Sequence, residues 1–217
     1  MPTILFKDNH LLLVEKPVNL SSQSVEGGDS LPHRLEESEY PVKPVHRLDK
    51  PTGGVMVYAR TDKAAAKLST LVGQHDVFQK EYLAVVQGCP DKNEDTLTDL
   101  LYHDVRKNKS YVVNRARKGV REAKLDYTVQ KTVHTDEGDF SLIRVRLHTG
   151  RTHQIRVQFA SRKMPLYGDS RYGGVKGPAL GLWSHRLTLP HPISRETLSA
   201  ESNPNWDMAP WCFFKEG

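Results

Sequence analysis

The feature that most limits how this chain can fold is a change of period around Gly150. In FSLIRVRLHTG, residues 140 to 150, apolar and polar side chains alternate, so Ile143, Val145 and Leu147 fall on one side of an extended strand and Leu142, Arg144, Arg146 and His148 on the other. One face suits a core and the other is basic. The strand ends at Gly150, and RTHQIRVQFASR follows as a helix opening at Thr152, with Ile155 and Phe159 toward a core and His153 and Arg156 on a neighbouring polar face. Elsewhere the period of two dominates. Residues 4 to 17 read as two short strands about a Lys-Asp-Asn turn, VMVYAR and KEYLAVVQG as strands, and LWSHRLTL as another. TDKAAAKLSTLVG is helical, with Thr61 or Asp62 as N-cap and Gly73 as C-cap, whereas residues 19 to 44 read as loop with at most a short helix. Frequent hairpin-like neighbours and only two legible helices predict an α+β fold. It is expected to be a single domain, residues 1–217, with a mixed, mainly antiparallel β-sheet flanked by helices and loops.

A chain of 217 residues can bury one substantial core. The longest apolar run near the start is Leu11 to Val14, far short of the roughly 18 residues that a membrane span needs. No basic, apolar, small-residue leader pattern stands at Met1, and the expected location is the cytoplasm. Cys89 and Cys212 are far apart and make no ligand spacing, so neither a disulfide scaffold nor a zinc knuckle is expected.

Net charge is +5, but its placement says more than its size. Between Arg106 and Lys124 stand eight lysines and arginines (Arg106, Lys107, Lys109, Arg115, Arg117, Lys118, Arg121, Lys124) against one acid, Glu122. That segment is expected to form a hairpin turning near Lys118-Gly119, with a strand running on to Val129. A basic stretch on a nearly neutral body suits a polyanion, because phosphate contacts release counterions and steer association. A solvated, mobile hairpin would carry the same charges.

VHRLDKPTGG, residues 45 to 54, sets Asp49 between Arg47 and Lys50 and stiffens the chain just beyond them with Pro51. Gly53-Gly54 permits a tight turn and close approach of a ligand to the backbone. Opposite charges within about 4–6 Å favour the anionic carboxylate, which suits a nucleophile or electrostatic stabiliser; a structural ion pair in a turn would read alike. Arg151, just before the second helix, is placed for a phosphate, and Arg156, if buried, requires an acidic partner. No HExxH or HxH set joins the histidines, GxxxxGK[ST] and GxGxxG are missing, and GxSxG is absent, so metal, nucleotide-cofactor and serine-nucleophile chemistry find no support.

HRLDKPTGGVMV (46 to 57), KEYLAVVQG (80 to 88), EAKLDYTV (122 to 129) and TGRTHQIRVQFA (149 to 160), preceded by VEKPVNL and followed by GDSRYGG and WSHRLTLPHP, together resemble the RluA-type RNA pseudouridine synthases over nearly the whole chain. The resemblance implies an isomerase that turns uridine in structured tRNA or rRNA into pseudouridine by breaking the glycosidic bond, rotating the base and rejoining it through carbon-5. No metal and no organic cofactor is implied, and the expected partner is RNA, bound by a monomer. Carried over by motif, Asp49 matches the catalytic aspartate, Arg156 the arginine paired with it, Tyr82 the tyrosine that stacks on the flipped base, and Arg47 the arginine that displaces the base. His46, Arg151, Lys107, Lys109, Arg115, Arg117, Lys118 and Arg121 complete the expected RNA-contacting set. Two departures stand out: Gln158 where many relatives have histidine, and SRKMPLYGD in place of a Gly-His-Pro turn. They motivate a second reading, a non-catalytic RNA-binding or RNA-chaperone protein of the same fold. Many relatives also carry an S4 domain ahead of the catalytic one, for which no room is expected here.

Overall fold

The computed structural model describes residues 2–215. In chain order the strands are β1 (Thr3–Lys7), β2 (Leu11–Lys16), β3 (Lys43–Pro44), β4 (Gly53–Ala59), β5 (Gln79–Gln87), β6 (Glu94–Asp104), β7 (Lys109–Val113), β8 (Val120–Thr135), β9 (Gly138–Leu147), β10 (Leu182–Pro190) and β11 (Thr197–Glu201). The helices are α1 (Leu31–Glu37), α2 (Asp62–Leu71) and α3 (Gln154–Ala160), with a 3₁₀ turn at Trp211–Phe214. Two compact units result, the described residues of one lying in 2–81 and 183–204 and those of the other in 82–182 and 205–215.

In the first unit β2 lies antiparallel between β1 and β4, from Leu11 opposite Ala59 to Lys16 opposite Gly54. β10 pairs with β4 in parallel, Trp183 beside Gly53 and Ser184 beside Gly54, and β11 pairs antiparallel with β10. All seven residues of β4 are buried, so its alternation separates two covered faces rather than core from solvent. Leu11, Leu13, Val55, Val57, Leu187 and Leu189 form the core against which α2 lays Ala64 and Leu68. Thr61 caps α2 by accepting the Ala64 N–H, as expected. Its other end differs from expectation: Val72 is right-handed, Gly73 is not left-handed, and Gln74 N–H folds back on the Leu71 carbonyl at 2.8 Å. Gly54 is required for another reason than ligand access. At φ 110° a Cβ there would lie 2.1 Å from the Ser184 carbonyl oxygen, so the close approach is made by β10.

In the second unit β6 is flanked by β7 and β8, and β8 continues the antiparallel order to β9. The tight hairpin therefore turns at residues 105 to 108, between β6 and β7. Gly119, at φ 86°, is a turn as expected, but it joins strands that both pair with β6 rather than with each other. α3 is buried along its first six residues, Gln154 to Phe159, which replaces the expected amphipathic helix with an enclosed one. Val157 packs on Leu101 and Ala123, and Phe159 meets Tyr127 edge-on at 5.5 Å. Phe140, Tyr167 and Phe213 form a second aromatic cluster with centroids 5.6–5.7 Å apart.

Candidate active site

Asp49 stands half-buried in the loop that leads into β4. Both of its neighbours are fixed by buried donors. Ser22 Oγ donates to the Leu48 carbonyl at 2.9 Å and accepts the Leu48 N–H at 3.2 Å, while the Tyr58 hydroxyl donates to the Ser22 carbonyl at 2.8 Å. On the other side Lys16 Nζ donates to the carbonyls of Lys50 (3.1 Å), Pro17 (2.8 Å) and Leu20 (2.7 Å). Thr52 N–H closes the turn on the Asp49 carbonyl at 3.0 Å. Lys16 is fully buried, and burial pulls its ammonium down to about 8, opposed by the negative charge of Asp49. The acid is thus set beside a fixed positive charge. Arg47 and Lys50, the cations adjacent in sequence, are exposed. Sequence reasoning missed Lys16; its signal was a lone lysine closing the apolar run LLLV ahead of a proline.

Two further first-unit groups lie close to each other, His46 on this loop and Lys80 at the start of β5. His46 accepts the Val57 N–H through Nε2 at 3.1 Å, and Lys80 is only 7% exposed. Burial, then the charge of Lys80, lowers His46 to about 3, so its ring is neutral.

In the second unit Arg156 has the acidic partner that its burial demands. Its Nε and Nη2 donate to the two carboxylate oxygens of Asp169 at 2.7 and 2.8 Å, with both residues at most 5% exposed. Such a pair is a two-pronged, charge-assisted contact that fixes the guanidinium plane. Asp169 sits in the GDSRYGG loop, a stretch that marks the resemblance but in which no site residue was expected. Gly168 holds that loop tight, since at φ 72° a Cβ would lie 2.0 Å from the Ala179 carbonyl oxygen. The Arg156 guanidinium also lies over the Tyr172 ring, 5.2 Å from its centroid.

Tyr172 ties this pair to the β6–β7 hairpin. Its hydroxyl accepts the Ser110 N–H at 2.8 Å and lies 2.9 Å from Nδ1 of His153, a residue held at φ 55° before α3. Burial raises the Tyr172 hydroxyl, so it stays protonated. Ser110 Oγ donates to the Thr152 carbonyl at 2.6 Å, so its 3.2 Å contact with His103 Nδ1 requires the proton on the histidine. Gln154, expected only as part of the motif, braces the turn by accepting from Arg151 N–H and the Thr149 hydroxyl and donating to the Lys124 carbonyl.

Tyr82 is 7% exposed on β5. Arg151 is exposed, with Nε donating to the Glu122 carbonyl at 2.8 Å. Lys107, Arg115, Arg117, Lys118 and Arg121 are all exposed, and Lys109 is half-buried. Arg117 covers the Tyr102 ring, and Lys109 stands 5.8 Å from the Tyr111 centroid and 5.4 Å from that of Tyr172, which makes this face both basic and aromatic. Gln158 is wholly buried and serves the fold: its Nε2 donates to Asp99 at 2.7 Å, joining α3 to β6. His148 contacts Asp126 at 2.5 Å.

A family model described as RNA pseudouridylate synthase matches residues 10–161. The chain is 31% identical to an uncharacterized RNA pseudouridine synthase of Bacillus subtilis over 222 residues, covering 96% of the chain and 70% of that protein. It is 32% identical to ribosomal large subunit pseudouridine synthase D of Nitrosomonas europaea, covering 95% of the chain but 63% of that protein's length. Its fold matches human RNA pseudouridylate synthase domain containing 1 with a TM-score of 0.81 at 20% identity, over 95% of this chain and 84% of the human one. No helix among the described residues is long and apolar enough to cross a membrane. From the matched model and these relatives, the chain belongs to the RNA pseudouridylate synthase family.

Proposed function

We propose that this chain isomerises uridine in structured rRNA or tRNA to pseudouridine, acting in the cytoplasm as a one-domain monomer without metal or organic cofactor. Asp49 is the nucleophile, Arg156 its charge partner, Tyr82 the platform for the everted base, and Arg47 the residue that displaces that base from its stack. The exposed basic hairpin residues, with Arg151 and His46, hold the surrounding RNA. The observation that carries this reading is the framing of Asp49: a half-buried acid in a loop fixed on one side by Ser22 and on the other by the buried Lys16, whose own charge Asp49 supports. A turn held only by a surface ion pair would have no use for a fully buried ammonium.

The chemistry follows from what each group can do. Everting a uridine from a folded RNA costs a few kcal/mol, and stacking on an aromatic ring returns about 1–3 kcal/mol. Attack by the Asp49 carboxylate forms a covalent adduct and the carbon–nitrogen glycosidic bond breaks; the uracil rotates, carbon-5 bonds to the anomeric carbon and the carboxylate is released, while the carbon-5 proton leaves to solvent and nitrogen-1 takes up a proton. The second charged group, Arg156, is held rigid by Asp169 and Tyr172. The test is release of tritium from RNA labelled at carbon-5 of uridine. Asp49→Ala abolishes release while RNA binding stays within a fewfold, and turnover by that variant would refute the assignment.

A further inference from the structure

Lys80, Phe78 and His46 form a cluster in the first unit, of which the proposed function uses only His46, as an RNA contact; Lys80 and Phe78 have no part in it. The Lys80 ammonium stands 5.0 Å from the Phe78 ring centroid, and the His46 ring meets Phe78 edge-on at 5.7 Å. Lys80 is 7% exposed and has no hydrogen-bond or ion-pair partner among the described residues. His46 uses Nε2 as an acceptor for the Val57 N–H, so a neutral ring must carry its proton on Nδ1. That Nδ1 is buried and also without a partner among the described residues. Two donors about the Phe78 ring, one of them cationic, therefore lack a protein acceptor among the described residues, and the one at His46 Nδ1 is fully buried. A structural lysine at this depth finds carbonyls or a carboxylate, as Lys16 does with three carbonyls.

We propose that Lys80 and the Nδ1–H of His46 bind a phosphodiester oxygen of the RNA, next to the nucleotide that Asp49 serves. His46 is three residues before Asp49 on the same loop, so the pair and the carboxylate belong to one short stretch of the chain. Phe78 holds the ammonium in place through its ring face and leaves its N–H groups for the ligand. Burial pulls Lys80 down to about 8, which fits an ammonium whose counter-charge arrives with the ligand. The inference rests on the proposed reading of the chain as an RNA-modifying enzyme.

The test uses the full chain with Lys80→Met and Lys80→Arg, tritium-labelled total RNA from cells lacking the protein as substrate, and filter binding of the same RNA across a salt series. Lys80→Met should raise KM about tenfold, the size of one lost charge-assisted hydrogen bond, with kcat changed far less. It should also reduce the slope of log Kd against log salt by about one phosphate contact. Lys80→Arg should keep that slope. The melting temperature of Lys80→Met should hold or rise, because a lysine side chain that is largely buried and has no protein acceptor is replaced by an apolar one. An unchanged KM and slope in Lys80→Met would overturn the proposal, as would a fall in melting temperature together with loss of the slope in Lys80→Arg. If the unaltered chain releases no tritium, the enzymatic reading fails, while the salt slope still decides whether Lys80 meets a phosphate.

Discussion

Arg156 shows what a single side chain requires when helix packing carries it inside. Asp169 and Tyr172 leave its charge nowhere unpaired on the guanidinium edge that they cover. Removing the acid leaves a buried cation, a change that costs about 3–5 kcal/mol. Asp169→Ala is therefore expected to lower the urea midpoint by that equivalent and to reduce turnover with it; a midpoint unchanged within error would show the pair to be dispensable. Lys16 makes a prediction of opposite sense in pH. Its ammonium ionises near 10.5 when unfolded and at about 8 when folded. The unfolded chain thus binds more protons between those values, and stability rises with pH across that window. Lys80, likewise pulled to about 8, adds to the same slope. Lys16→Met should flatten the rise in unfolding free energy measured from pH 8 to about 10, above which exposed tyrosines of the unfolded chain begin to ionise. A slope equal to that of the unaltered chain would contradict the burial of Lys16.

At the scale of elements, the β6–β7 hairpin and α3 are linked through Ser110 and Tyr172, so the strand pair that displays Lys109 shares a hydrogen-bond network with the helix that carries Arg156. Tyr172→Phe deletes the acceptor of a buried backbone N–H, worth about 1–3 kcal/mol. Hydrogen exchange at the Ser110 amide is expected to speed up in that variant, and an amide as protected as before would break the proposed link. These two elements are also where the sequence was hardest to read. β6 buries Leu97 and Leu101, four residues apart, among Asp, Thr and Glu, so it shows no clean alternation and its hairpin was expected one strand too late. α3 is enclosed on all sides, and a helix whose polar residues are used internally mimics an amphipathic surface helix. By contrast β4, α2 and β9 were legible: Val55 and Val57 of β4 share a core with Ala64 and Leu68 of α2, and β9 buries Ile143, Val145 and Leu147 between more exposed arginines.

Across the whole molecule the charge pattern, the fold class and the motif order pointed the same way. The α+β architecture with a mainly antiparallel sheet and the membership in the RNA pseudouridylate synthase family were both legible in the sequence. The stretch 46–57 identified Asp49 but not what fixes it, since Ser22 and Lys16 lie 26 and 34 residues from the backbone atoms they hold and come there only by folding. The central claim is that the Asp49 carboxylate turns uridine in cellular RNA into pseudouridine. Pseudouridine mapping of total RNA from cells carrying the unaltered gene, no gene, or Asp49→Ala tests it most directly. At least one uridine should be modified in the first and unmodified in both of the others; a modification retained with Asp49→Ala, or a map that does not change when the gene is absent, would contradict the account.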